Sequence, residues 1–153
     1  MGNEKEYRAA CFCGTVQISL AGSPEAQAYC HCDSCRRWSA GPVNAFTLWQ
    51  PEKVTILQGE NMIRSFDGNP GSDHEAVVSE RKWCKKCGGH VFTAHPAMGM
   101  IDVPAALIAN FEFEPGFHVH YQESVHSMPD RLTRFRDLPE AAGGSGEEMP
   151  VAG

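Results

Sequence analysis

A chain of 153 residues with 42% apolar and 21% charged residues has the composition of one soluble domain with a modest core, and needs no second domain. Its formal charge of -6 argues against nucleic acid as a partner, because binding phosphates asks for a basic face, and favours small molecules. The charged start, Met1 to Arg8, lacks the apolar run of a secretory signal, and the longest apolar stretch, Val103 to Ala109, is too short for a bilayer. Glu6 breaks the myristoylation pattern, so the expectation is a cytoplasmic protein with no membrane partner.

In chain order, Tyr7 to Cys11 and the strictly alternating Thr15 to Leu20 predict two strands joined by a turn at Cys13-Gly14. After a Gly-Ser-Pro loop, Ala26 to Cys32 predicts a strand running into a cysteine cluster, and Asp33 or Ser34 caps one helical turn through Arg36 and Arg37, stopped by Gly41-Pro42. Val43 to Trp49, Lys53 to Leu57 and Ile63 to Phe66 are further strands, followed by a loop from Asp67 to Asp73. Glu75 to Trp83 and Val91 to His95 form a second cysteine-tipped hairpin around Gly88-Gly89. Leu107 to Phe113, Phe117 to Gln122 and Leu132 to Phe135 complete the strands. The Gly, Ser, Glu and Pro content after Ala141 predicts a disordered tail, leaving residues 1–140 as the domain. Many short strands with one helical turn predict a mainly β domain of packed antiparallel sheets.

The seven cysteines fall in three groups: Cys11/Cys13, Cys30/Cys32/Cys35 and Cys84/Cys87. A reducing compartment and an odd count disfavour a disulfide framework, which leaves metal binding or thiol chemistry. Cys84-Lys-Lys-Cys87-Gly88-Gly89 has the form of a zinc knuckle, and a closed structural zinc needs two more ligands, for which Cys11 and Cys13 are the natural partners. Cys30, Cys32 and Cys35 then remain as three ligands for a second zinc with an open position, the pattern of a catalytic site. Two alternatives stay open on spacing: Cys32/Cys35 joined to Cys84/Cys87, and Cys32-Asp-Ser-Cys35 as a redox dithiol.

The motifs Cys11-Phe-Cys13-Gly14, Cys30-His-Cys32-Asp-Ser-Cys35-Arg-Arg and Trp83-Cys84-Lys-Lys-Cys87-Gly88, in this order, resemble the glutathione-dependent formaldehyde-activating enzyme family. The resemblance runs from about Tyr7 to Pro139 and includes Pro115-Gly-Phe-His118-Val. It implies a β-tent fold and two zinc ions per chain. Cys11, Cys13, Cys84 and Cys87 would hold the structural one, and Cys30, Cys32 and Cys35 the catalytic one. It further implies a carbon-sulfur lyase that reversibly joins a thiol, glutathione, to formaldehyde or a similar small aldehyde, the thiol sulfur entering the open zinc position. A zinc-stabilised binding module without catalysis is the alternative on the same scaffold.

Arg36 and Arg37 are candidates for a glutathione carboxylate. Trp38 stands where relatives usually carry a small residue and is placed to narrow the mouth of the site. Alternation points His31 away from its cysteine neighbours, as a solvent-facing or packed residue. His90, His95, His118, His120 and His126 are expected to be ordinary sheet or loop residues, Asp33 a turn or cap residue, Phe46 and Trp49 core, and Lys85 and Lys86 surface residues of the knuckle.

Overall fold

The computed structural model describes residues 4–68 and 79–151. Polar/apolar alternation sets most of its strands: β1 (Glu6–Ala10), β2 (Gln17–Ala21), β3 (Ala26–Cys30), β4 (Asn44–Trp49), β5 (Val54–Gln58), β6 (Ile63–Asp67), β7 (Glu80–Cys84) and β8 (His90–His95). Four more follow: β9 (Met100–Pro104), β10 (Phe117–Val119), β11 (Thr133–Phe135) and β12 (Glu148–Met149). The one α-helix among the described residues, α1 (Asp33–Ser39), ends at Ala40 in the left-handed region, φ 54. Among the described residues no helix is long and apolar enough to cross a membrane.

The strands form a three-stranded sheet, β1-β2-β5, and a nine-stranded sheet, β12-β11-β10-β3-β4-β9-β8-β7-β6. Between them lies the larger core, where Ile18 and Leu20 of β2 meet Trp49, Val91, Phe92 and Val103 of the long sheet. The protein is mainly β, as its many short strands predict, but the long sheet is mixed: β10 runs parallel to both β3 and β11. That parallel edge departs from the expected all-antiparallel packing. A parallel neighbour requires a long crossover, which local turn signals do not reveal.

Other differences have local causes. Met100–Pro104 is a central strand that the sequence reading missed, since Asp102 interrupts its apolar run. Leu107 to Phe113, expected as a strand, instead holds a 3-10 turn over Ala105–Leu107, a single bridge from Ile108 to Ala9, and left-handed Asn110 at φ 55. Phe117 to Gln122 stops as a strand after Val119, because His120 turns left-handed at φ 53 and a 3-10 turn follows. The segment beyond Ala141, read from composition as a disordered tail, places β12 against β11, with Asp137 accepting from the N–H and hydroxyl of Ser145 at its base. Residues 69–73 of the expected loop and 75–78 of the expected strand before Trp83 lie outside the described residues.

One irregularity divides the long sheet into two functional faces. Lys82 pairs with Phe92 but Trp83 with His90, so Val91 is an extra residue in β8. Such a bulge turns Val91 and Phe92 both into the core and leaves His90 and Thr93 on the opposite face. On that opposite face, directly paired residues make a row across five strands: Leu48, Asp102, Thr93, Arg81 and Phe66. Helix α1 packs on the same side, with Trp38 stacked on His90 at 4.3 Å between ring centroids.

Inside the core, Thr47 Oγ1 donates to Val103 O at 2.7 Å and accepts from Trp49 Nε1 at 2.7 Å, all three residues being fully buried. Thr47→Val keeps the shape but strands the indole N–H without an acceptor, at a cost of about 1–3 kcal/mol. Urea unfolding of metal-loaded protein is expected to show a lower midpoint at an unchanged slope.

Candidate metal centres and the adjoining cleft

Two hairpin tips build the first cluster. The β1–β2 turn closes with Gly14 N donating to Cys11 O at 3.0 Å, and the β7–β8 turn with Gly88 N donating to Cys84 O at 2.7 Å. The glycines adopt φ 80 and φ 74, a conformation side chains resist. Gly89 permits the close approach of the two tips: a Cβ there would lie 2.9 Å from both Phe12 N and Phe12 Cβ, and 3.2 Å from Cys87 Sγ. The result is that the sulfurs of Cys11, Cys13, Cys84 and Cys87 all lie within 4.8 Å of one another.

Cys11 Sγ is 3.7 Å from Cys13 Sγ, which is 4.0 Å from Cys84 Sγ across 71 residues of chain. A tetrahedral zinc with Zn–S bonds of about 2.3 Å has sulfur–sulfur edges of about 3.8 Å, so the donor set fits that ion. Backbone amides stabilise the thiolates: Val16 N donates to Cys11 Sγ and Gly89 N to Cys87 Sγ, each at 3.3 Å. Hydrogen bonds from the hydroxyl and N–H of Thr15 hold exposed Cys13 down to about 6, whereas burial pushes Cys11 up. A cation at the centre of the four sulfurs would offset the burial that opposes ionisation of Cys11.

The second cluster, Cys30, Cys32 and Cys35, also has its sulfurs within 4.8 Å of one another. It lies at a strand-to-helix junction. Cys30 ends β3, and Cys32 caps α1, its Sγ accepting from Cys35 N at 3.3 Å. Hydrogen bonds from Cys30 and Cys35 hold Cys32 far below the ordinary thiol range, while hydrogen bonding to Cys32 and Cys35, together with burial, drives Cys30 up. One thiolate is thus accommodated by its neighbours, and three call for a cation. Among the described residues neither set includes a histidine or a carboxylate, and this cluster offers three protein ligands. The structure therefore groups the cysteines as four and three, and Cys32 and Cys35 do not join Cys84 and Cys87.

Residues 6–123 match the family described as glutathione-dependent formaldehyde-activating enzyme. The chain belongs to that family. An uncharacterized lyase of Schizosaccharomyces pombe is 28% identical over 90 residues, which span 59% of this chain and 58% of that relative. A solved structure of a Rhodobacter sphaeroides protein shares the fold at 15% identity, with a TM-score of 0.51 over 69% of this chain and 90% of that one.

In this formaldehyde-activating family member the two candidate arginines have different roles. Arg36 Nε donates to His31 O at 2.9 Å, and its guanidinium lies 3.7 Å from Asp33, so it ties the helix to the cysteine segment. Arg37 reaches outward beside Asp33 and lines a cleft of about 160 Å³ with Ser34, Trp38, Phe66 and Arg81. Arg81, buried on β7 with its guanidinium over the Trp38 ring at 5.7 Å, was absent from the sequence reading. Trp38 forms a wall of this cleft, stacked on His90. Asp102 lies along the same sheet face, its carboxyl raised by burial, with His95 Nε2 at 3.7 Å and Ser79 Oγ on the other ring nitrogen at 3.2 Å. Neither this cleft nor a larger groove of about 420 Å³ near Tyr7, Gln27 and Phe111 is lined by any of the cysteines; the cleft's link to the three-cysteine cluster is helix α1.

Three histidines are less ordinary than composition suggested. His31 and His118 are fully buried, with His31 Nε2 2.8 Å from His118 Nδ1 and His118 Nε2 3.0 Å from both oxygens of Asp130. Burial lowers the pKa of His118, against the opposing pull of Asp130. His120 carries left-handed strain, and its Nδ1 lies 3.5 Å from Glu123, whose other oxygen accepts from Asp33 N at the start of α1. The only hint in the sequence was the parity of His31, which alternation had already turned away from the sulfurs.

Gly89→Ala tests the close approach of the knuckles. The added methyl is expected to weaken metal retention at the four-cysteine cluster by about tenfold or more, the range seen when groups supporting metal ligands are disturbed. Chelator competition should resolve this loss from an unchanged three-cysteine site.

Proposed function

We propose that the protein is a zinc-dependent carbon-sulfur lyase of the S-(hydroxymethyl)glutathione synthase type, reversibly joining a thiol such as glutathione to formaldehyde or a similar small aldehyde. The observation that carries this reading is the contrast between the two clusters: one has four converging sulfurs, the other three, at the start of the helix whose Ser34, Arg37 and Trp38 line a cleft. In the three-sulfur site a zinc ion would supply a Lewis acid able to keep an incoming thiol ionised at neutral pH. Cys30, Cys32 and Cys35 would hold it, and Cys11, Cys13, Cys84 and Cys87 would hold a second, structural zinc.

The chemistry asked of the chain is modest. The thiol S–H breaks and releases its proton to solvent, the sulfur forms a bond to the aldehyde carbon, the carbonyl π pair moves onto oxygen, and the oxygen takes up one proton, so protons and charge balance. Nothing is oxidised or reduced. The cleft beside α1 orients the thiol substrate: Arg37 and Arg81 attract its carboxylate, and Trp38 and Phe66 flank its backbone. Arg36 is already committed to His31 and Asp33, so Arg37 is the better of the two candidates for glutathione. Asp102, held toward its protonated form by burial and paired with His95, supplies the proton taken up by the oxygen. The partners are a small thiol and a small aldehyde, in a cytoplasmic setting.

Metal analysis of protein purified without chelator is expected to give two zinc ions per chain, falling to one in Cys32→Ser. That variant should keep its melting temperature within a few degrees while adduct formation between glutathione and formaldehyde, followed by exchange NMR, falls to the uncatalysed rate. A folding collapse in Cys32→Ser, or no acceleration by the wild-type protein, would instead favour a zinc-stabilised binding module. Asp102→Asn is expected to lower turnover by about a hundredfold with both metals retained.

A further inference from the structure

Cys30 and Cys32 are two residues apart, and on a continuing strand their side chains would share a face about 6.6 Å apart along the chain. Convergence of their sulfurs requires the backbone to leave the sheet at the residue between them. His31 is that pivot. Its N–H still bonds Val119 O at 3.1 Å, but its C=O has left the ladder and accepts from Arg36 Nε at 2.9 Å.

The pivot's side chain is tied down on the opposite face of the sheet. His118 sits beside Tyr29 in the parallel β3–β10 pair, and Arg134 beside His118 in the β10–β11 pair, so all three share that face. Arg134, fully buried, donates to Asp130 Oδ1 at 3.1 Å and to the carbonyls of Leu132 at 2.7 Å and Met128 at 2.5 Å. Asp130 can only accept, so His118 carries its proton on Nε2. With His118 neutral, its Nδ1 accepts and His31 donates through Nε2 at 2.8 Å. The polarity of this hydrogen-bond relay is fixed from Arg134 inward, and among the described residues His31 Nδ1 is left buried without a hydrogen-bond partner.

We propose that His118, Asp130 and Arg134 are positioning residues that lock His31 in place, and through it set the geometry of the three-sulfur site formed by Cys30, Cys32 and Cys35. The proposal rests on reading that cluster as a metal site, and none of the three touches the metal or the substrate.

The test uses the full chain loaded with cobalt(II), comparing wild type, His118→Ala, His118→Asn and Asp130→Asn. In His118→Ala the three-cysteine site, assigned by its loss in Cys32→Ser, should bind cobalt about tenfold or more weaker and show shifted d–d bands, with the four-cysteine site unchanged. His118→Asn places an acceptor near the former Nδ1 and should restore most of the affinity and the bands. Asp130→Asn, a milder change to be read if the alanine variant fails to fold, should weaken the same site in the same direction. Unaltered affinity and bands in these variants would overturn the proposal. Should wild type take up only one cobalt, the catalytic-metal reading fails by itself. The positioning role is then read from alkylation of the metal-free protein, where His118→Ala should expose Cys30 to reaction about tenfold faster against Cys13 as internal standard, and equal rates would overturn it.

Discussion

Four sulfurs brought to one point from two distant segments of the chain are the constraint on which the rest of this structure depends. Cys13 and Cys84 are 71 residues apart, yet their sulfurs approach to 4.0 Å. A cross-link over a loop of that length removes about 4 kcal/mol of unfolded-chain entropy in the loop-closure model, before any bond to a metal is counted. The geometry also explains why the ligands sit on turns. A strand interior commits its amides to the ladder, whereas the knuckle turns leave Val16 N and Gly89 N free to donate to sulfur. The cluster thereby pins the three-stranded sheet to the long one at the end where the core is closed by Cys11 and Cys84.

With that end pinned, the long sheet can give its two faces different work. One face meets the three-stranded sheet and is apolar. The other carries α1, the three-cysteine cluster and a polar row from Asp102 to Arg81. The extra residue at Val91 makes this division possible, since it keeps two successive apolar side chains in the core without reversing the rest of β8. The parallel edge serves a related purpose: in register with β3, β10 brings Val119 beside Cys30 under the cluster and His118 beside Tyr29 behind it. A single pair of strands thus supplies both the apolar bed of the sulfurs and the polar anchor behind them.

Much of this was legible in the sequence for a physical reason. Metal-ligand spacing and glycine position are local, so the three cysteine groups and their two glycine-tipped hairpins could be read directly; strict alternation located β2, and strand propensity with flanking turn residues located β4 and β8. What escaped was nonlocal. Met100–Pro104 became invisible because a central strand facing a polar site carries an aspartate where a one-sided strand would carry an exposed polar residue. His118, Asp130 and Arg134 lie in segments that no periodicity links, and only the parallel register makes them neighbours. The ordering of residues beyond Ala141 depends in the same way on an edge of β11 that composition could not announce.

The two arginines after Cys35 show how the same residue type divides between building a site and serving it. A guanidinium close to a metal-ligating segment can stabilise the fold only by giving up its hydrogen bonds to protein acceptors, and Arg36 does so, with a backbone carbonyl and a carboxylate in reach. Its charge is then unavailable to a substrate. Arg37, one residue on, rotates by about 100 degrees around the helix and leaves toward the cleft. There it meets Arg81 from a strand distant in sequence, with an indole held flat between His90 and Arg81. On the proposed reading, this aromatic wall would flank the backbone of the thiol substrate while the two guanidiniums attract its carboxylate. The cleft and the three-cysteine cluster would then serve one ligand, the first holding its carboxylate and the second its sulfur.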